Sequence, residues 1–331
     1  MAVKLAVKKL PKAPIAGHRN ERRHAEAMVA RVKHSLPLAS STSDSVSYSC
    51  RTGLLLEVPC GTSSKLALGF KPYGYALRVV KPRRSCKARK NKPAPVCSKA
   101  PPEPPVLRKG RIAVWRLDLR SHKHVTALLK HLKTMELPRD IDFLHTHGAP
   151  PCTWVAPGSP INYSMGKYST EVAKQGALML HVTRKIQEAM HARRRPRSST
   201  MKAKKHTFRV TGSHEQTAKS STATGLKVLG KKEKYGIKDG FPWGVGEHAD
   251  KTTISGAALG AFDDGEPTTK RWTVESDNNF VLQCLAEFHK SPYAKLKPIW
   301  SSRGKQGAGS KKMENYPKFM GAYMAAAIAC D

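Results

Sequence analysis

One cysteine of this chain has neighbours that suit nucleophilic chemistry. Cys152 follows two prolines in the segment 148–158, GAPPCTWVAPG, which comes directly after the apolar run 141–146. Two prolines stiffen the chain, and a residue just beyond a strand lies at the carboxyl edge of an α/β sheet, where such sheets bind ligands. A thiolate at that edge can act as a nucleophile. A purely structural Pro-Pro-Cys turn is the alternative interpretation.

Two histidines precede this cysteine within the same predicted strand and turn. A thiol needs a lowered pKa to react at neutral pH, and His145, His147 and nearby positive charge would supply that effect. Ordinary polarity at a strand end is the alternative interpretation of both histidines.

Alternating strands and helices would have to position these residues. The expected strands are 53–58, 75–80, 112–119, 141–146 and 207–211, and the expected helices are 125–135 and a long segment with Ser169 as N-cap. Short apolar runs bounded by turn residues predict buried strands, and apolar residues at helical spacing predict the helices. Their alternation predicts an α/β fold with a Rossmann-like, largely parallel sheet and helices on both faces.

Shifts in composition divide the chain into four parts. Residues 1–45 form a basic N-terminal extension with one short helix, 46–211 the core with a basic Pro/Lys/Arg-rich surface insertion at 81–110, 212–312 a small irregular region, and 313–331 a C-terminal helix that returns to the core.

The charge of the chain predicts a polyanionic partner. Lys and Arg number 59 against 24 Asp and Glu, which gives a formal net charge of +35. Such a surface repels itself unless a polyanion offsets it, so nucleic acid is expected, most simply double-stranded DNA, with phosphate contacts from the basic loops. Trp243, Trp272 and Trp300 are candidates for base stacking. No apolar run approaches the roughly 18 residues of a membrane-spanning helix, and no membrane partner is expected.

Cysteine usage predicts an intracellular protein. The seven cysteines are scattered and contain no CxxC pair, so neither a disulfide framework nor a metal site is expected. The expected compartment is the nucleus or a viral or host compartment that holds nucleic acid. The basic first 40 residues leave a mitochondrial transit peptide as the alternative.

The order of these segments resembles the DNA (cytosine-5) methyltransferase family, most closely its short viral and phage-type members. Pro150-Pro151-Cys152 fits the Pro-Pro-Cys nucleophile motif of that family. The segment 57–64, EVPCGTSS, is similar to its cofactor-binding turn, with Ser63 at the position of a glycine and Pro59 at the position of an aromatic residue. The resemblance covers most of residues 53–330, and Pro-Pro-Cys is its specific part.

The resemblance implies S-adenosylmethionine as cofactor and a Rossmann-like methyltransferase fold with residues 212–312 as target-recognition region. The implied catalytic residues are Cys152, Pro151 and Glu215, and the implied cofactor contacts are Glu57, Gly61, Ser63 and Asp118, with Asp142 or Asp140 near the adenine. Asp118 would bind ribose hydroxyls, with a strand-end or helix-cap role as the alternative.

One motif of the family is not kept at its expected place. Residues 211–213, Thr-Gly-Ser, stand where the family has Glu-Asn-Pro, and Glu215 would take over the glutamate's role only through a shifted loop. The alternative function is therefore a non-enzymatic basic nucleic-acid-binding protein, such as an organellar ribosomal subunit.

Overall fold

A seven-stranded sheet forms the centre of the structure, a computed structural model. The residues it describes are 21–35, 50–60, 65–82, 96–150, 159–167, 169–193, 209–217, 250–259, 262–263, 266–267, 271–291, 294 and 318–331. Helices cover both faces of the sheet, which confirms the α/β class.

The seven strands of this sheet start, along the chain, with the five expected from the sequence. They are β1 (Gly53–Cys60), β2 (Gly74–Val80), β3 (Ile112–Arg116), β4 (Phe143–Gly148), β5 (Arg209–Thr217), β6 (Asp250–Ser255) and β9 (Arg271–Ser276), while β7 (Phe262–Asp263) and β8 (Glu266–Pro267) form a separate ribbon. The spatial order is β3-β2-β1-β4-β5-β9-β6. Strands β1 to β5 are mutually parallel, and β9 is antiparallel to both of its neighbours. The largely parallel sheet is thus confirmed.

The helices pack in two layers. They are α1 (Glu21–Ser35), α2 (Lys65–Phe70), α3 (His122–Thr134), α4 (Ser159–Ser164), α5 (Thr170–His191), α6 (Asn279–Ala286) and α7 (Lys318–Ala329). Ser169 is the N-cap of α5, as predicted. No helix among the described residues has the length and apolar character needed to cross a membrane.

Alternation along the strands separates two hydrophobic cores. On β1, Leu55 faces the core formed with α1, α2, α6 and α7, whereas Leu54 and Leu56 face the core formed with α3 and α5. Successive side chains of a strand point to opposite faces. A strand buried on both faces therefore reads as a continuous apolar run, as residues 54–56 do.

Helices α2 and α7 meet through glycines. A Cβ atom on Gly69 would lie 2.6 Å from the carbonyl oxygen of Gly321, and one on Gly321 would meet the backbone of Lys65. The two backbones therefore touch directly, and this contact fixes the C-terminal helix beside the helix that follows β1.

Helix α1, which lies within the extension expected for residues 1–45, packs into the core that also contains the C-terminal helix α7. Ala25, Val29 and Val32 of α1 are buried in the core that contains α7. Cys50 and Cys330 form a disulfide, so the expectation of reduced thiols does not hold for this pair. It failed because the two residues are 280 positions apart in sequence and come together only through the fold.

Part of the expected surface insertion is ordered against β3 and α3. The indole nitrogen of Trp115 donates to the carbonyl oxygen of Pro102 at 3.0 Å, and a ring nitrogen of His124 lies 3.0 Å from the carbonyl oxygen of Lys99. Residues 83–95 of the insertion lie outside the described ranges.

Much of the expected recognition region belongs to the sheet. Within 212–312, the described residues complete β5 and form β6, β9 and α6. Strands β6 and β9 carry charged and hydroxyl side chains between their apolar ones, which hid them from a search for apolar runs.

Candidate active site

The strand order reverses between β1 and β4. Strands β2 and β3 lie on one side of β1, and the chain then crosses to β4 on its other side. In open α/β sheets, ligands bind in the crevice outside the carboxyl ends of the strands at such a switch point. The ends of β1 and β4 therefore define the candidate site.

Glu215 reaches this edge without a shifted loop. Strand β5 continues to Thr217, six residues beyond its predicted end at 211. Gly148 of β4 pairs with His214 of β5, so Glu215 stands one residue further on, beside Ala149. The half-buried Glu215 is thus at the lead-in to the Pro-Pro-Cys turn. The expected need for a loop shift was wrong because the polar end of β5 resembles a loop in sequence.

The lead-in itself is held from both sides. The amide of Ala149 donates to the carbonyl oxygen of Val58 on β1 at 3.2 Å. The side-chain nitrogen of Gln216 on β5 donates to the carbonyl oxygen of Pro150 at 2.8 Å. Gln216 is 2% exposed, and sequence reasoning missed it. In the sequence, Gln216 could have been recognised as a candidate site residue from its position directly after Glu215.

Close packing beneath the turn leaves room only for glycine at position 148. A Cβ atom there would lie 2.7 Å from the His214 ring and 2.8 Å from the Thr183 methyl group of α5. Pro151 and Cys152, which follow Pro150 in sequence, lie outside the described residues, as do Gly61 and Ser63, which follow β1.

Polar side chains cross the sheet in one row just below this edge. In register, Arg78, Glu57, His147, Ser213 and Ser276 are paired successively from β2 to β9. All five are buried, and Glu57 Oε2 lies 3.6 Å from Arg78 Nε. Central parallel strands are normally apolar on both faces. Departures from local rules of this kind concentrate at functional sites.

The histidines of β4 are uncharged at neutral pH. Burial, together with the positive charge of neighbouring groups, holds the pKa of His145 well below its ordinary value, and burial lowers the pKa of His147 to about 4. Neither ring can therefore supply the positive charge that the sequence analysis assigned to it for activating Cys152.

A second polar group lies on the other face of the same strand ends. His214 pairs in register with Glu275, which pairs with Lys251 of β6. Burial lowers the pKa of His214 to about 3. Burial raises the pKa of Glu275 to about 7, although the charges of Lys251 and Arg184 oppose this shift. A carboxyl group that titrates near neutral pH therefore lies two strands from the lead-in to Pro-Pro-Cys, and no motif in the sequence indicates it.

Asp118 lies at the same edge but is already engaged. It follows β3, two strands from β1, and its carboxylate accepts hydrogen bonds from the Arg120 guanidinium at 2.8 Å and from the Cys97 amide at 2.9 Å. Burial would raise the pKa of Asp118, but these hydrogen bonds outweigh it and hold the pKa below its usual value. A ribose would have to displace Arg120 to use this carboxylate.

Asp142 and Asp140 lie at the opposite edge. Asp142 directly precedes β4, and its Oδ2 accepts a hydrogen bond from the Thr52 amide, which precedes β1. Asp140 pairs there with Lys109 at 2.8 Å. Because residues before a parallel strand lie at its amino end, the structure separates both aspartates from the crevice, contrary to their expected place near the adenine.

One of the expected stacking tryptophans is also unavailable. Trp272 on β9 is 1% exposed and belongs to the core, so it cannot stack on a base. Trp243 and Trp300 lie outside the described residues.

Comparison of the chain with protein-family models, with curated proteins and with solved structures found no match. Three features lie together at the carboxyl ends of β1, β4 and β5. They are a buried carboxylate on β1, a clamped Pro-Pro-Cys lead-in after β4 and a half-buried carboxylate at the end of β5.

Proposed function

We propose that this chain is a DNA (cytosine-5) methyltransferase, which transfers a methyl group from S-adenosylmethionine to cytosine in DNA. The observation that carries the proposal is the position of Glu215 at the end of β5, beside Ala149 on the lead-in to Pro-Pro-Cys and next to the β1–β4 strand-order reversal. A nucleophile and a carboxylate on neighbouring strand ends are what the reaction requires.

The sheet supports a methyltransferase-type Rossmann fold. Five parallel strands are followed by two more, of which the last in sequence, β9, is inserted antiparallel beside β5. That arrangement is compatible with the Rossmann-like methyltransferase fold that the resemblance implies.

The residues at this point fit S-adenosylmethionine. Glu57 is a buried carboxylate near the end of β1, 3.6 Å from Arg78, and the segment 61–64 beyond the strand contains only glycine and hydroxyl residues. Glu57, Gly61 and Ser63 would hold the cofactor. The cofactor, when bound, supplies an electrophilic methyl group on a sulfonium.

The protein's own residues supply the rest of the chemistry. The Cys152 thiolate adds to carbon 6 of cytosine, which makes carbon 5 nucleophilic. Glu215 in its protonated form donates its proton to ring nitrogen 3 as negative charge develops on the ring. After carbon 5 has gained the methyl group, water accepts the proton of carbon 5, Glu215 takes back the proton of nitrogen 3, and the bond between sulfur and carbon 6 breaks, which restores the thiolate. Pro151 and Pro150 keep the thiol in place.

The target base must leave the duplex to reach this edge. An enzyme that acts on a base flips it out of the stack, and the net charge of +35 supplies phosphate contacts that hold the duplex. Double-stranded DNA is therefore the proposed partner.

The test is methyl transfer from labelled S-adenosylmethionine to duplex DNA of mixed sequence, with 5-methylcytosine identified by mass spectrometry. The native chain should form it. Cys152→Ser should form none, and Glu215→Gln should be slower by roughly 10²–10⁴-fold, the usual contribution of a positioned acid or base.

Glu188→Gln is the matched control. Glu188 is an exposed carboxylate on α5, paired with Lys185 at 3.0 Å, so its loss should leave the rate unchanged. If the native chain binds DNA but forms no 5-methylcytosine, the proposal fails and the non-enzymatic nucleic-acid-binding alternative is favoured.

A further inference from the structure

A chain of hydrogen bonds runs from β5 to β4 and back beneath the candidate site. His145 Nδ1 lies 2.8 Å from Thr211 Oγ1, and His145 Nε2 lies 2.8 Å from Ser213 Oγ. The same Ser213 oxygen lies 2.8 Å from His147 Nδ1. Four side chains of two neighbouring strands are therefore linked in one line.

All four side chains are buried. Thr211 is 5% exposed, and the other three are fully buried. Burying a hydroxyl or an imidazole is costly unless it is hydrogen-bonded. Apolar residues of similar size would fill the same face of the sheet without needing hydrogen-bond partners, so packing alone does not account for these four polar side chains.

The shared serine couples the protonation of the two rings. Both imidazoles are neutral, so each has one donor nitrogen and one acceptor nitrogen. Ser213 has one hydroxyl proton and can donate it to only one ring. Its oxygen can accept from both rings, but the two rings cannot both accept from it. At least one of the two ring nitrogens that face Ser213 therefore carries a proton, so the tautomers of His145 and His147 are not independent.

The chain ends at the crevice. His147 lies between Glu57 of β1 and Ser213 of β5 in the register of the sheet, at the strand-order reversal. It precedes the clamped Pro150 by three residues. Because Nδ1 faces β5, the hydrogen bond with Ser213 determines the orientation of the His147 ring below the crevice.

We propose that the line Thr211–His145–Ser213–His147 sets the orientation and tautomer of the His147 ring, and that His147 is a positioning residue for the lead-in of Ala149 and Pro150 that follows β4. The role in catalysis rests on the proposed methyltransferase function. The restriction on the tautomers does not rest on it, because it follows from the hydrogen bonds and the neutral state of both rings.

The first test uses Ser213→Ala and Ser213→Thr in the methyl-transfer assay. Ser213→Ala should lower kcat by roughly ten- to a hundredfold, since small misplacements of reacting groups have effects of that order. The KM values for DNA and for S-adenosylmethionine should change less than twofold. Ser213→Thr keeps the hydroxyl and should retain kcat within about threefold of native.

Thr253→Ala is the matched control. It removes another hydroxyl pair, between Thr253 and Thr273 at 2.8 Å, on β6 and β9 away from the switch point. It should leave kcat unchanged. The catalytic role is overturned if Ser213→Ala keeps native kcat, or if the alanine and threonine variants lose kcat equally.

The second test needs no activity and separates this inference from the proposed function. In the native chain labelled with ¹⁵N-histidine, NMR should show His145 and His147 each as one neutral tautomer from about pH 5 to 8, and Ser213→Ala should alter the tautomer of at least one of them. Titration of either ring in that interval, or tautomers unchanged in Ser213→Ala, would overturn the coupling. If these signals behave as expected but the native chain transfers no methyl group, the proposed function has failed and the coupling has not.

Discussion

Burial decides the chemistry of the individual side chains at the ends of β4 and β5. His147 and His214 are fully buried and neutral, whereas Glu275 remains protonated up to about neutral pH. In the proposed reaction, the neutral histidines of β4 therefore supply no positive charge to Cys152. From the sequence alone, residue types at this edge could be identified, but their charge states could not, because burial depends on the fold.

These shifts predict a loss of stability in acid. The pKa of His147 is about 4 in the folded chain and about 6.5 in the unfolded one, so the unfolded chain binds more protons between these values. The free energy of unfolding should therefore fall as the pH falls from about 6.5 to about 4. His147→Gln should reduce that fall by up to about 3 kcal/mol, measured by urea unfolding at each pH.

His122→Gln, at an exposed position on α3, is the control for this measurement. It should follow the native pH dependence. Equal slopes for the native chain and His147→Gln would contradict the buried, neutral state of His147.

Among the elements, those with apolar runs could be predicted from the sequence and those with polar strands could not. Strands β1 and β2 carry apolar runs such as 54–56 that are buried on both faces, and these give a clear signal. Strand β5 places Thr211, Ser213 and His214 in the interior, where the two hydroxyls are hydrogen-bonded to the histidines of β4, and it carries the half-buried Glu215 near its end. Its length was therefore underestimated, and with it the position of the carboxylate. Helix α1 was assigned to an extension because its buried residues are few and small.

The contact between α2 and α7 predicts that a glycine-to-alanine substitution in a helix lowers stability instead of raising it. Alanine is favoured over glycine inside a helix by about 1 kcal/mol. Gly321→Ala should nevertheless destabilise the protein by about 1–3 kcal/mol, since the added Cβ meets the backbone of Lys65 and the helices must separate. Chemical denaturation measures this difference.

Arg31→Ala on the exposed side of α1 should change stability by less than about 0.5 kcal/mol and serves as the comparison. A Gly321→Ala variant more stable than the native chain would show that α2 and α7 are not in direct contact.

At the scale of the whole molecule, the two ends of the described chain are joined. The Cys50–Cys330 disulfide lies where the Arg51 amide donates to Ala329 and the Lys33 ammonium donates to the carbonyl oxygen of Cys330. The disulfide and the hydrogen bond of Arg51 thereby tie the segment that leads into β1 to the C-terminal helix.

Reducing this disulfide should lower stability strongly. Its closed loop spans a sequence separation of 280 residues, for which loop entropy gives roughly 5–6 kcal/mol. Reductant should therefore lower the denaturant midpoint of the native chain but not that of Cys50→Ser. Cys97→Ser removes a thiol that is not in the disulfide, and this variant should respond like the native chain. An unchanged midpoint of the native chain in reductant would contradict the link.

The net charge of +35 predicts salt-dependent DNA binding. If about six phosphates are neutralised, affinity should fall on the order of a thousandfold between low and moderate salt. Fluorescence anisotropy with a labelled duplex measures the slope. An affinity that does not change with salt would remove DNA phosphates as the partner of the basic surface.

Covalent trapping on DNA that contains 5-fluorocytosine tests the central claim most directly. Once the thiolate of Cys152 has added to carbon 6 and carbon 5 has received the methyl group, fluorine cannot leave as a proton does, so the protein stays bound to the DNA. With S-adenosylmethionine, the native chain should give a complex that survives denaturing electrophoresis, and Cys152→Ser should give none while it still binds DNA. A native chain that binds both cofactor and DNA but forms no such complex would contradict the account.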